Sequence, residues 1–336
     1  MPLSPIETPK DSYVADYPQA VKAAIAAQSV FWTAEELGVE KDEDDVRLNL
    51  TPGERHGLCV VQSIITQYEL MIGGDELWGG KIQQLFPRHE IARACATFAF
   101  FELGVHAPFY DLINKTLHQA TDEFYTAWRS DPVLAERIAF VEEKTASSDA
   151  LEVTAALAFL EGAVLFSAFA FFKSFNVRGH NMLPHFVAGI DGSAKDENFH
   201  SQFSSWLFRQ CREERIAAGN HTPEQDARLT QLIREMALQV YEHECRIIEM
   251  IFTQGGIRTI TADEMRHFVR DRINLVLGYL GMKELFPERA GTVSEWFYTQ
   301  LSTFKFSDFF AATQLQYRRD WRRHELKFDL EVAHAH

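Results

Sequence analysis

Apolar residues recur at helical spacing along most of the chain, which predicts an all-α protein. Thr51-Pro52-Gly-Glu54 and Thr261-Ala-Asp-Glu264 each place an N-cap residue three positions before an acid, as at the start of a helix. No segment before the C-terminal region alternates with the period of a strand. We expect helices over 17–27, 51–73, 88–117, 149–175, 193–218, 223–255, 261–281 and 293–303, one or two helical pieces within 119–147, and an irregular stretch or a short helix over 176–192.

The same pattern predicts the domain organisation. We expect one helical domain over residues 1–317, in which 1–16 form a polar lead-in, and a flexible tail over 318–336. The tail has no helix start or stop signals, and its apolar residues from Leu326 to Val332 alternate with charged ones. Such a segment becomes ordered when it binds a groove on a partner.

Composition narrows the class of protein. A net charge of −15 argues against partners such as nucleic acid or an acidic membrane. The four cysteines are far apart in sequence, and the N-terminus lacks a signal-peptide pattern, so we expect a cytoplasmic location. The most apolar stretch, 155–172, contains Glu161, which favours a buried core helix over a membrane span.

Six acids and histidines lie on the predicted apolar helices. Each one alone would be an ordinary buried polar group satisfied by hydrogen bonds. Together they follow the order Glu, Glu and His, Glu, Glu and His, which is the ligand order of a ferritin-like di-metal bundle. The six residues are Glu69, Glu102, His106, Glu161, Glu197 and His200.

The types of these residues indicate the chemistry. Four carboxylates balance the charge of two divalent ions, so the site can be buried, and an oxygen-rich ligand set suits iron or manganese. Tyr110 continues the helical stripe of Glu102 and His106, roughly 6 Å further along the axis. A phenol beside two such ions indicates redox chemistry. The flanking phenylalanines, Phe98, Phe100, Phe101 and Phe109, predict that this stripe faces an apolar interior.

The spacing of Glu102 and His106 is four residues, whereas Glu197 and His200 are three apart. One extra residue followed by Pro108 predicts a π-bulge or local unwinding. Other polar groups are expected to be unrelated to the site. We expect the acidic run 41–45 and Glu242-His243-Glu244 to be solvated, and His185 to lie in the irregular stretch without a matching partner.

From about Phe31 to Tyr317 the chain resembles the small, radical-generating subunit of class I ribonucleotide reductase. Lys195-Asp196-Glu197-Asn-Phe-His200 is similar to the family motif R-D-E-x-x-H, with Lys in place of Arg. The segments Leu160-Glu161, Phe31-Trp32-Thr-Ala-Glu35-Glu36, His106-Ala-Pro-Phe-Tyr110 and Phe309-Phe310 followed by Tyr317 resemble further family motifs.

This resemblance implies a function in two parts. A dinuclear metal centre and O2 would generate a radical at Tyr110, and His106, Asp196, Trp32 and Tyr317 would relay it to a large catalytic subunit that reduces ribonucleotides. The tail would bind that subunit, and the small subunit would be a homodimer.

The resemblance favours two iron ions, and it leaves Mn/Mn and Mn/Fe open. Glu69 stands where many members have Asp. A Glu occurs there in a manganese–iron subclass, but that subclass usually lacks the radical tyrosine that Tyr110 supplies. The short chain and tail are similar to those of compact phage-type members.

Two other classes of protein share parts of this pattern. Another ferritin-like di-metal oxidase, either a ligand-binding oxidase or a desaturase, would have the six ligands without needing Trp32, Asp196 and Tyr317 together. An iron-storage bundle would need no tyrosine beside the metals.

Overall fold

A computed structural model of the chain describes residues 4–287 and 291–303. In these residues every regular element is a helix and none is a strand, so the prediction of an all-α fold is confirmed. The predicted tail, Phe309, Phe310 and Tyr317 lie outside the described residues. The α-helices are α1 (Pro18–Ser29), α2 (Pro52–Gly73), α3 (Lys81–Leu85), α4 (His89–Phe101), α5 (Ala107–Thr116), α6 (Asp122–Thr126), α7 (Pro132–Thr145), α8 (Ala150–Phe159), α9 (Phe166–Ser174), α10 (Pro184–Ala217), α11 (Pro223–Ile251), α12 (Ala262–Tyr279) and α13 (Thr292–Thr303).

The predicted caps of the helices are confirmed. The Thr51 hydroxyl accepts a hydrogen bond from the Glu54 backbone N–H at 3.2 Å, and the Glu54 carboxylate accepts one from the Thr51 N–H at 2.9 Å. Asp149 caps α8 by accepting from the Leu151 N–H at 2.8 Å. These bonds satisfy backbone donors that the first turn of a helix leaves free.

Residues 176–192, expected to be irregular or a short helix, are irregular in their first half and helical from Pro184. This helix is the first part of α10, so the expected helix start at 193 is wrong. Its first N–H groups are capped from a distant part of the chain. The Asp42 carboxylate accepts hydrogen bonds from the N–H groups of His185 and Phe186, at 2.9 and 2.7 Å, and it also contacts the His185 imidazole at 2.6 Å. Asp42 is therefore buried, and His185 has a partner, contrary to the sequence-based expectation.

Within the predicted polar lead-in, residues 4–7 pack against the bundle. Ile6 is fully buried, and its N–H donates to the Glu214 carboxylate at 2.7 Å. Arg215 contacts the Glu7 carboxylate at 2.6 and 3.0 Å. The N-terminal segment is thus attached to the C-terminal part of α10.

One hydrophobic core runs through the bundle and is rich in phenylalanine. The stretch Ala150–Ser174 is long and apolar enough to cross a membrane, with a mean hydropathy of 2.0, but 94% of the apolar window is buried inside the protein. It is a core helix, as the sequence predicts. Around Glu102, Phe98, Phe101 and Phe109 are buried, whereas Phe100 is 52% exposed, which corrects one of the four expected flanking contacts.

The expected solvation of Glu242-His243-Glu244 is wrong for its last two residues. His243 and Glu244 are buried, and Glu244 binds Arg137, also buried, at 2.5 Å. A buried carboxylate requires such a partner, and the partner lies 107 residues earlier in the chain, on α7.

Candidate metal centre

Two π-helical turns lie within the helices that carry the predicted ligands. The first spans Glu102–His106 and joins α4 to α5, which confirms the irregularity predicted from the four-residue spacing. The second spans Leu160–Val164 between α8 and α9, and it contains Glu161. A π-turn accommodates one extra residue, so both Glu102 and His106 point to the same side. The other ligand candidates project from the regular helices α2 and α10.

All six predicted ligands meet in the core and are fully or almost fully buried, with at most 1% of any of them exposed. They form two groups of four, and within each group the potential ligand atoms lie within 4.8 Å of one another. The first group is Glu69, Glu102, His106 and Glu197, and the second is Glu102, Glu161, Glu197 and His200. Glu102 and Glu197 belong to both groups.

The oxygens of the two shared carboxylates are divided between the groups. His106 Nδ1 lies 2.9 Å from Glu102 Oε2 and 2.8 Å from Glu197 Oε1. His200 Nδ1 lies 2.7 Å from Glu102 Oε1 and 3.4 Å from Glu197 Oε2. Each of the two glutamates therefore presents one oxygen to each imidazole, as carboxylates do when they bridge two ions. Two octahedral ligands, each about 2.1 Å from one ion, would lie roughly 3 Å apart, which is similar to these separations.

The buried negative charge of the cluster favours the binding of cations. Burial raises the pKa of Glu69 and Glu161 well above the ordinary value, and the neighbouring carboxylates Glu102 and Glu197 raise the two values further. Burial alone would lower the pKa of His200, but the nearby Glu102 carboxylate raises it to about 9. Several oxygens also lack hydrogen-bond partners within the described residues, including both of Glu69 and both of Glu197. Two divalent ions would neutralise four carboxylates and occupy these positions, so the residues fit a dinuclear centre.

Tyr110 lies beside this cluster and is fully buried. Burial raises the pKa of its phenol well above the ordinary value, and the negative charge of Glu69 raises it further. Its hydroxyl has no hydrogen-bond partner in the described part of the chain. The ring packs against Phe109, with centroids 5.0 Å apart. The raised pKa favours the neutral phenol, and the full burial of Tyr110 keeps it from bulk water.

A series of hydrogen bonds leads from the cluster to Trp32. The Trp32 indole Nε1–H donates to Asp196 Oδ2 at 2.9 Å, and the same oxygen lies 3.2 Å from His106 Nε2. The rings of Trp32 and His106 are stacked at 5.7 Å. Gly192 allows the close approach of the indole, because a Cβ atom there would lie 2.9 Å from Trp32 Cε2. The structure thus brings together three of the four residues of the predicted relay, and Tyr317 lies outside its described residues.

A profile of the family described as ribonucleotide reductase, small chain, matches residues 11–293. The chain belongs to this family. It is similar to the beta subunit of ribonucleoside-diphosphate reductase from Treponema pallidum, with 27% identity over 90% of this chain and 86% of the relative. A small subunit of the same reductase from Arabidopsis thaliana is 22% identical over 83% of this chain and 82% of its own length.

Solved structures of ribonucleotide reductase subunits share the fold. The dimanganese(II)-NrdF of Streptococcus sanguinis aligns with a TM-score of 0.73 and 21% identity, covering 86% of this chain and 98% of the other. The R2 subunit from Clostridium botulinum aligns with a TM-score of 0.70 and 21% identity, covering 85% and 89%. The prediction of a ferritin-like bundle is therefore confirmed.

Family membership confirms the predicted class of protein. This small subunit is part of a class I ribonucleoside-diphosphate reductase, an oxidoreductase of deoxyribonucleotide synthesis, and it has a dinuclear metal centre. It works with a large subunit and as a dimer. The family match favours this function over the alternatives of a different di-metal oxidase or an iron-storage bundle.

One residue of this small subunit contacts the ligands although no sequence pattern indicates it. Trp78 is fully buried, and its indole Nε1–H donates to Glu161 Oε1 at 2.5 Å. It lies in a turn between α2 and α3, where the helical periodicity that identifies the six ligands is absent. The only available signal is a bulky apolar residue within the glycine-rich run Gly73-Gly74-Asp-Glu-Leu-Trp78-Gly79-Gly80.

Proposed function

We propose that the six clustered residues hold the two metal ions of the reductase small subunit and that Tyr110 holds its radical. Glu102 and Glu197 would contribute to both metal positions, Glu69 and His106 to one of them, and Glu161 and His200 to the other. The observation that carries this proposal is the division of the oxygens of Glu102 and Glu197 between the two imidazoles. No other arrangement of buried charges in the described residues combines six such groups.

When bound, the metal ions together with O2 supply the oxidising equivalent. Tyr110 would give one electron to that centre, and its phenolic proton would pass to the carboxylates beside it, of which Glu69 is the one whose charge acts most strongly on the phenol. Burial and the Glu69 charge raise the pKa of Tyr110, and the hydroxyl of Ser193 on α10 acts on the same phenol in the opposite direction. The buried phenylalanines of the core, among them Phe109, keep water and external reductants from the oxidised ring.

The relay from the centre begins at Asp196. This carboxylate accepts a hydrogen bond from the Trp32 indole and faces His106 Nε2 with the same oxygen. His106 turns Nδ1 toward the ligand cluster, so its two nitrogens connect the cluster with Asp196. Trp32, Asp196 and His106 therefore form a continuous route for an electron and a proton, and Tyr317 extends it toward the large subunit.

The donor set limits the metals to iron or manganese. Four carboxylates and two imidazoles suit iron and manganese better than zinc or copper, and we propose two iron ions. A manganese centre is the alternative, since the structurally similar Streptococcus sanguinis protein holds two manganese ions. The residues 318–336 bind the large subunit, and the enzyme is cytoplasmic.

The test is reconstitution of the metal-free protein. Iron or manganese is added with O2, and electron paramagnetic resonance is used to detect a tyrosyl radical. The wild type is expected to give the radical signal, and Tyr110→Phe is expected to bind the same number of metal ions without the signal. Tyr125→Phe is the control, because Tyr125 is half-buried and its hydroxyl donates to Asp111 at 2.6 Å, away from the ligand cluster. A full radical signal or full nucleotide reduction in Tyr110→Phe would show that the radical assignment is wrong.

A further inference from the structure

The two halves of the ligand cluster differ in how their outer glutamates are held. The difference begins with the turn that carries Trp78. The Trp78 N–H donates to the Ile72 carbonyl and the Lys81 N–H to the Asp75 carbonyl, each at 2.9 Å, so the backbone folds tightly back on the end of α2. A Cβ atom at Gly79 would lie 2.6 Å from the Gly73 carbonyl oxygen, so this turn cannot accept a larger residue there without moving. The turn therefore holds Trp78 in one place.

Trp78 is directed at the Glu161 half of the cluster. Its indole N–H donates to Glu161 Oε1 at 2.5 Å and leaves Oε2 without a hydrogen-bond partner in the described residues. The edge of its ring faces His200, with centroids 6.2 Å apart, and Phe98, with centroids 5.1 Å apart. The hydrogen bond therefore fixes Oε1 of Glu161. Because the carboxylate group is planar and rigid, the position of Oε2 is fixed with it.

The backbone beneath Glu161 is also held from outside. The Arg272 guanidinium Nε–H donates to the Gly162 carbonyl at 2.7 Å, inside the π-turn. The Ser201 hydroxyl donates to the Ala158 carbonyl at 2.8 Å. A π-turn leaves carbonyls poorly satisfied, and these donors compensate for it.

Glu69 lacks such support. Neither of its oxygens accepts a hydrogen bond within the part of the chain that the structure describes, and His106 Nδ1 lies 3.6 Å from Oε2. Glu69 projects from the regular helix α2 and is fully buried beside Tyr110. Its carboxylate must therefore be oriented by the metal ion itself.

We propose that Trp78 is a positioning residue that makes the two metal positions unequal. The position of Glu161 and His200 is preorganised and is occupied first, whereas the position of Glu69 and His106 binds its ion more weakly. This inference rests on the proposed ligand set. A carboxylate already held in place loses less side-chain freedom when the ion binds, and the loss of a partner behind a ligand typically weakens metal affinity by about 10- to 100-fold.

The experiment is a titration of the metal-free protein with Mn(II), in which electron paramagnetic resonance measures the unbound ion. The wild type is expected to bind two ions per chain in two classes that differ in affinity. Trp78→Phe removes the indole donor and is expected to weaken the tighter class by about 10- to 100-fold while leaving the weaker class unchanged. Trp206→Phe is the matched control, since Trp206 is buried against Phe203 and Tyr17 and contacts none of the six ligands through its ring.

Two further variants assign the classes. Glu161→Ala is expected to remove the tighter class, and Glu69→Ala the weaker one. The inference is overturned if Glu69→Ala removes the tighter class, or if Trp78→Phe leaves both dissociation constants within twofold of the wild type. A wild type that binds fewer than two ions per chain would instead contradict the proposed ligand set.

A second substitution at position 78 tests the inference if Trp78→Phe does not fold. Benzothienylalanine incorporated at position 78 keeps the size of the indole but replaces its N–H with sulfur. The thermal unfolding of the metal-free protein checks the fold in each case. With the fold intact, the analogue is expected to weaken the tighter class like Trp78→Phe, and unchanged affinity would overturn the inference.

Discussion

The Asp196 carboxylate contacts two aromatic side chains beside the ligand cluster at the same time. One of its oxygens serves both the Trp32 indole and His106, and the residue is only 5% exposed. A hydrogen bond to an ionised acceptor is stronger than a neutral one, so this carboxylate fixes the orientation of both rings. It also fixes which nitrogen of His106 faces the cluster. The geometry of the proposed relay and that of the proposed ligand His106 thus depend on the same Asp196 oxygen.

Replacing Trp32 tests this relay. Trp32→Phe removes the indole N–H and is expected to lower nucleotide reduction with the large subunit by about 100-fold, because the route from Asp196 is broken. The Tyr110 radical and the metal content are expected to stay unchanged, since no metal ligand is altered. Tyr317→Phe is likewise expected to keep the Tyr110 radical and to lose nucleotide reduction. Electron paramagnetic resonance and a turnover assay measure the two properties, and turnover close to that of the wild type would contradict the relay.

Among single residues, the sequence predicts those acids and histidines that interrupt the apolar face of a periodic helix. Glu69 and Glu161 stand out because they are single acids on otherwise apolar helical faces. The role of Trp78 could not be predicted, because an aromatic residue in a turn does not interrupt any periodic pattern of apolar positions. The burial of Asp42 could not be predicted for a related reason, since its partners on α10 are about 140 residues away in sequence.

The helices that carry the ligands are fixed at their ends by side chains from other elements. Glu54 illustrates this at the start of α2, which carries Glu69. It accepts from the Thr51 N–H and also accepts hydrogen bonds from Arg258, at 2.8 Å to Nε and 2.7 Å to Nη2. Burial raises the pKa of Glu54, but the bonds from Arg258 outweigh this effect and lower the pKa from 4.5 to about 2. The ionised form therefore stabilises the folded state.

The consequence is a stability contribution that depends on pH. Because the folded pKa of Glu54 lies below the unfolded one, its contribution is complete above pH 4.5 and is lost as the pH falls from 4.5 toward 2. Glu54→Gln is expected to lower the free energy of unfolding by about 1 to 3 kcal/mol at pH 7, and by less as the pH falls through that range. Urea denaturation at several pH values measures the difference.

The control for this prediction is a similar pair on the surface. Arg246 contacts Glu136 with two nitrogens, at 2.5 and 3.0 Å, but both side chains are more than one third exposed. Glu136→Gln is expected to change the free energy of unfolding by less than about 1 kcal/mol. Equal effects of the two substitutions would show that the cap of α2 is not the source of the stability.

The start of a helix can be predicted from sequence where the cap is local. Thr51, Asp149 and Thr261 each cap their own helix, and all three starts are confirmed. The start of α10 lies at Pro184 and not at 193 as predicted, because its cap is the distant Asp42 and the helix continues through Gly189 and Gly192; Pro184 at the first position is the local signal of this start. Glycine ordinarily indicates the end of a helix, and here it provides space for packing instead.

In the whole molecule, the ligand cluster is a concentration of buried charge in a core of phenylalanine. Bringing four carboxylates together in that core costs free energy unless cations accompany them. Ions that bind the folded protein but not the unfolded one stabilise the fold by about 4 kcal/mol per site at a free concentration 1,000 times the dissociation constant. The centre is therefore a structural element as well as a chemical one.

Removal of metal tests this role. A chelator is expected to lower the thermal unfolding temperature of the protein, and Mn(II) or Fe(II) added under nitrogen is expected to restore it. The increase should grow with the logarithm of the metal concentration above the dissociation constant. Differential scanning calorimetry measures the temperature, and Glu197→Ala, which lacks a bridging ligand, is the control with a reduced response. An unfolding temperature independent of the metal would contradict the dinuclear assignment.

The π-turn at Glu102–His106 also determines how the protein should respond to the deletion of a single codon. A π-turn holds one residue more than an α-turn, which is one codon, whereas one extra residue in a regular helix would turn every later residue by about 100°. The π-turn takes up this residue within Glu102–His106 and keeps Tyr110 and α5 in register with the ligands. Deletion of Gly104 is therefore expected to restore a three-residue spacing, as at Glu197 and His200, and to preserve binding of two Mn(II) ions per chain. Deletion of Ala96, in the regular part of α4, is expected to abolish that binding, and loss of binding in both deletions would show that the extra codon can no longer be removed.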